Sequence, residues 1–174
     1  MCSTMASKTA PTPFLPWNVA EAQSIVADCR DQPGALMPIL TTMTRRFGHV
    51  DPEFVPDIAR ALNLSRAEVH GVISFYHDFR TTPPGQHIVR ICRAESCQAV
   101  GARELEAHVK ASLGVDWHET TTDGRFTLVP VYCLGNCACS PAVMIDETLH
   151  GRVSSERFDA LIDEKPLDEN ETSA

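Results

Sequence analysis

Two close pairs of cysteines, Cys92-x4-Cys97 and Cys133-x3-Cys137, separated by 35 residues, constrain this chain more than any other feature. Each pair directly follows a segment that reads as a strand, residues 87–92 (HIVRIC) before the first and 126–132 (FTLVPVY) before the second. If the two strands are neighbours in one sheet, both following loops leave it at the same edge and four thiols converge. Five of the seven cysteines lie between Cys92 and Cys139, in a chain of 174 residues that is too long to need disulfide staples. No apolar run approaches the ~20 residues of a membrane span, and MCSTMASKTAPTPFLPW carries no apolar stretch behind a basic start. The expectation is a cytoplasmic protein without direct membrane contact, whose clustered cysteines are ligands or redox groups.

The rest of the chain divides by pattern. Residues 1–16 are Ser/Thr/Pro-rich and read as a mobile tail, and 164–174 as an acidic one. Residues 163–174 hold five acids against Lys165, half of the net charge of −8. From 17 to 80 the period is helical: Val19, Ala22, Val26 and Cys29 share one face, Leu36, Ile39, Leu40, Met43 and Phe47 a second, and Val55, Ile58, Ala59 and Leu62 a third. Gly48 reads as a helix stop, and Ser65 with Glu68 as a capping box opening a helix with Val69, Val72, Ile73 and Tyr76 inward. A helical bundle over 17–80, a linker at 81–86 and an α/β domain over 87–163 follow. In the α/β domain, 99–113 reads as a helix, 142–146 with 149–153 as a hairpin, and 155–163 as a last helix.

Four thiolates in two pairs suit a [2Fe–2S] cluster, which takes two per iron, and loops of this length leave backbone N–H groups room to face the sulfurs. Structural zinc is the rival, but its four-cysteine sites favour a C-x2-C knuckle, absent here, and a thiol–disulfide centre also usually takes C-x2-C. Arg90, Arg93 and Arg103, close in sequence to the first pair, are candidates to stabilise an added electron. Cys139 and Cys29 read as packing residues and Cys2 as a tail residue.

These residues resemble the thioredoxin-like [2Fe–2S] subunit of the NADH dehydrogenase (complex I) 24 kDa family over roughly 20–163. Within that group RAESCQAVGARELEAHV (93–109), YCLGNCACSPAVMID (132–146) and NLSRAEVHGVISFYHDFR (63–80) look closer to one branch, the gamma subunit of soluble NAD-dependent, molybdenum-containing formate dehydrogenases. Arg93-Ala94-Glu95-Ser96 departs from the Gly-Thr-Ala-type stretch of the complex I members. The resemblance implies a thioredoxin-like domain behind helices, with Cys92, Cys97, Cys133 and Cys137 as cluster ligands. It also implies a partner subunit carrying FMN and NAD(H), further iron–sulfur clusters, and a molybdenum-containing catalytic subunit. The alternative hosts are respiratory NADH:quinone oxidoreductase and a bidirectional NAD-linked hydrogenase. No bond-making site is expected on this chain, which has neither G-x-G-x-x-G nor G-x-x-x-x-G-K-[ST].

Two further readings are open to test. Ala59, Asn63 and Val69 sit at helix-turn-helix offsets, but Arg60 and Arg66 are balanced by Asp57, Glu68 and Asp78, which disfavours nucleic acid. Phe75, Tyr76 and Phe79 are more aromatic surface than one helix face buries, dividing the expectation between core packing and a partner interface.

Overall fold

A computed structural model describes residues 14–165. The chain divides into two compact units, one ending at Pro84 and the other beginning at Gly85.

The first unit holds four helices, α1 (Val19–Cys29), α2 (Leu36–Phe47), α3 (Val55–Leu62) and α4 (Arg66–Phe75). Their ends are written into the sequence. Asn18 Oδ1 accepts the Glu21 N–H at 3.0 Å to open α1, and Gly48 closes α2 in the left-handed region at φ 76°. Asn63 closes α3 at φ 54°, and Ser65 and Glu68 form both halves of the expected capping box. Ile39, Leu40, Met43, Phe47, Ile58 and Val69 are sealed from water, with Trp17 packed against Phe47 and Phe54. Two inward assignments are corrected. Val19 is exposed, one turn ahead of the buried Ala22–Val26 stripe. Tyr76 is also exposed, because α4 ends at Phe75 and Tyr76 takes extended backbone. His77 therefore lies beyond the helix carrying His70. Of the three aromatics, Phe79 enters the core while Phe75 stays 72% exposed.

The second unit is a four-stranded sheet in the order β2-β1-β3-β4, with β1 (His87–Cys92), β2 (Phe126–Val131), β3 (Ala142–Ile145) and β4 (Thr148–Gly151). Strands β1 and β2 are parallel, register His87↔Phe126 to Cys92↔Val131, while β3 and β4 form the expected antiparallel hairpin. Helix α6 (Ala102–Leu113) and α7 (Ser155–Asp163) bury Leu105, Val109 and Phe158 with Val89, Ile91, Leu128 and Ile145. The helix expected at 99–113 is interrupted. A short α5 (Glu95–Ala99) carries Cys97, and Gly101 at φ 97° breaks the axis before α6.

Of the expected tails, residues 1–13 and 166–174 lie outside the described residues, as does Cys2. At the ends that are described, the Leu15 N–H donates to the Arg46 carbonyl at 3.0 Å, and the Lys165 ammonium reaches Asp146 at 3.4 Å. Among the described residues no helix is long and apolar enough to cross a membrane.

Candidate metal centre

Because β1 and β2 are adjacent and parallel, the chain leaves both at the same end of the sheet. Cys92 is the last residue of β1, and Cys133 follows two residues after β2. The Arg93 N–H donates to the Val131 carbonyl at 2.7 Å, extending the parallel ladder into the cysteine loops. Cys97 rides on α5, and Cys137 opens a 3-10 turn, Cys137–Cys139. Cys92 and Cys97 are buried with Ala102 and Ala142, whereas Cys133 and Cys137 are exposed.

The sulfurs stand as two pairs. Burial pushes the Cys92 thiol above its ordinary range, the adjoining Cys97 adds to this, and the N–H groups of Ala94 and Leu134 at its sulfur act against it. Cys137 is raised first by its hydrogen bond with Cys133 and then by the charge of that group, with Cys97 also within electrostatic range. Among the described residues no three His, Cys, Asp or Glu side chains stand close enough to share one ion. Two pairs with backbone donors at their sulfurs match the two thiolates per iron that a binuclear cluster takes. The Gly135 N–H donates to Cys133 Sγ at 3.3 Å, and the turn that aims it needs the left-handed φ of 74° that glycine supplies.

Two serines, neither given a structural role by sequence pattern, tie the loops together. Ser96 Oγ and Ser140 Oγ lie 2.9 Å apart and 3.2 and 2.9 Å from the Cys137 carbonyl, so their two hydroxyl protons serve two of these three contacts at a time, and Cys97 Sγ–H donates to Ser140 Oγ at 3.4 Å. The Ser140–Pro141 peptide is cis. Their only sequence signal is adjacency to a candidate ligand or to Pro141. Gly151 carries no such signal at all. A Cβ there would meet Asn136 Nδ2 and Cys139 Cβ at 2.7 Å, so β4 lies tight against the second cysteine loop. Cys139 is buried in that contact, and its carbonyl accepts the Arg152 N–H.

The three arginines near the first pair have these partners: Arg90 donates to the Asp146 carbonyl, Arg93 pairs with Glu106 at 2.9 Å, and Arg103 donates to Gln98 Oε1.

With this geometry in hand, comparison with known proteins decides the family. The sequence profile of the thioredoxin-like [2Fe–2S] ferredoxins matches residues 22–165. The chain belongs to this family. Its relatives include a subunit of the NADH-quinone oxidoreductase of Rhizobium meliloti, 33% identical over 88% of this chain and 91% of that protein. The corresponding NADH-quinone oxidoreductase subunit of Pseudomonas aeruginosa is 37% identical over 71% of this chain and 74% of that one. Among solved structures, an NAD+-reducing [NiFe]-hydrogenase in the air-oxidized state aligns over 80% of this chain with a TM-score of 0.61 and 26% identity. This chain spans only 24% of that hydrogenase chain. A thioredoxin-like [2Fe–2S] fold preceded by helices is thereby established for the family member described here.

Proposed function

We propose that this chain is the [2Fe–2S] electron-transfer subunit of an NAD-linked oxidoreductase complex, with Cys92, Cys97, Cys133 and Cys137 as the ligands. In this reading residues 17–80 form its helical domain and 87–163 its cluster domain. The observation that carries it is the placement of two thiol pairs at the same end of the parallel neighbours β1 and β2. When bound, the cluster supplies a site that takes up and releases one electron. The protein's part is to hold and tune. Cys92 and Cys97 anchor one side away from water, and N–H groups of Ala94, Leu134 and Gly135 offset thiolate charge. The Ser96–Ser140 bridge fixes the spacing of the two loops. Exposure of Cys133 and Cys137 leaves one edge of the site open to a redox partner.

The host we propose is a cytoplasmic NAD-dependent formate dehydrogenase. There this subunit would work beside a subunit carrying FMN and NAD(H), further iron–sulfur clusters and a molybdenum-containing catalytic subunit. The stretch Arg93-Ala94-Glu95-Ser96 between the first two cysteines, and the similarity of residues 93–109 and 132–146 to the formate enzyme's gamma subunit, support this. A second reading, a subunit of NADH-quinone oxidoreductase or of an NAD-reducing hydrogenase, is favoured by the names of the relatives. Affinity isolation of the tagged chain from its native cell separates them. Co-isolated molybdenum with formate-dependent NAD+ reduction is the expected result. Membrane quinone-reducing subunits or nickel in its place would assign the chain to the second reading.

A further inference from the structure

Beside the first cysteine loop lies a half-open groove of about 500 Å³, lined by Arg93, Gln98, Ala102, Arg103, Glu106 and Lys110 with Ala107. Three cations against one carboxylate stand out in a chain of net charge −8. Their anchoring differs. Gln98 Oε1 accepts from Arg103 Nε at 3.1 Å and Nη2 at 2.9 Å, so a neutral amide orients this guanidinium and leaves its charge uncancelled. Arg93 shares Glu106 with Lys110, at 2.9 and 3.3 Å, and both cations sit over the Trp117 ring, at 5.2 and 4.4 Å. Asp116 holds Lys110 at 2.7 Å and Glu106 holds Arg93, which leaves Arg103 as the main source of the field. Ala102 and Ala107 keep the floor shallow, so a main chain can approach.

From this we infer that the groove is a docking site for an acidic segment of a partner protein. Arg103 and Lys110 are seven residues apart on α6, about 10 Å along its axis, and because Asp116 is exposed a partner's carboxylate can displace it from Lys110, giving a row longer than one phosphate or carboxylate fills. That length fits successive Asp or Glu side chains of an extended peptide or a helix turn, and bidentate guanidinium contacts recognise carboxylates. Arg93 follows Cys92, and Gln98 follows Cys97 while its amide donates to the Arg93 carbonyl, so the groove shares its wall with the ligand loop. A partner held there is seated beside the redox site. The inference rests on the proposed electron-transfer role for the partner's purpose, and its binding test is independent of that role.

The test uses the full chain carrying its cluster and an eight-residue poly-glutamate peptide, titrated by calorimetry at low salt. A one-to-one complex is expected, weakened about tenfold or more between 20 and 150 mM salt. Arg103→Glu should abolish it, and Arg103→Gln should weaken it severalfold, with visible absorbance unchanged in both variants. No binding, or equal binding by Arg103→Glu, would overturn the inference. So would equally tight binding of inorganic phosphate, which marks a small-anion pocket. Binding seen only after removal of residues 166–174 would overturn it too, since the groove would then serve the chain's own acidic end. Loss of the visible bands in unmodified protein would instead strike at the electron-transfer reading.

Discussion

Cys92 and Cys97 are buried and Cys133 and Cys137 are exposed, so the four proposed ligands differ in surroundings. Cys97→Ser or Cys133→Ser should cut bound iron to less than about half, measured by metal analysis, because each removes one of the two thiolates proposed for its iron. Cys29→Ser and Cys139→Ser should leave iron nearly unchanged, and loss of iron on Cys139→Ser with retention on Cys137→Ser would refute the ligand set. Gly151 is the second residue to test. A methyl group there collides with Asn136 and Cys139, which pack against β4 through side chain and carbonyl. Gly151→Ala should cost about 1–3 kcal/mol in chemical denaturation and hasten loss of the cluster.

Elements were legible wherever a local rule governed them. The strand at 87–92, the helix at 155–163 and the Ser65–Glu68 cap are set by alternation, period and short-range hydrogen bonds, and the structure has them. The break between α5 and α6 was not legible, because 99–113 keeps a helical apolar stripe and only the left-handed Gly101 turns the chain. Nor were the serine bridge or the destinations of Arg90, Arg93 and Arg103, since contacts such as Ser96–Ser140 and Arg90–Asp146 cross 44 and 56 residues of sequence. The α4 cap gives an element-scale prediction. Ser65→Ala should destabilise the helical unit by about 1 kcal/mol, read from its denaturation midpoint. Hydrogen bonds from the Ser65 N–H and hydroxyl hold the Glu68 carboxyl below its ordinary pKa. The unfolded chain therefore binds the proton more readily. This contribution is present above about pH 4.5 and is lost as pH falls through the lowered folded value, so Glu68→Gln should flatten that part of the stability–pH curve.

For the whole molecule, the proposed division of labour gives flavin and nicotinamide chemistry to a partner. Phe75, 72% exposed and stacked edge-on against Tyr76, is the better interface probe than Phe79, which is buried. Phe75→Asp should leave folding and colour intact, and loss of co-isolation with the flavoprotein would place the contact there; Phe79→Asp should unfold the helical unit, seen by circular dichroism. Whether these four cysteines hold a binuclear iron–sulfur centre is tested most directly by metal and sulfide analysis of anaerobically prepared protein with electron paramagnetic resonance. Red-brown protein with about two iron and two sulfide per chain is expected, with a signal that appears on one-electron reduction. Colourless protein with one zinc per chain, silent before and after reduction, would contradict that expectation.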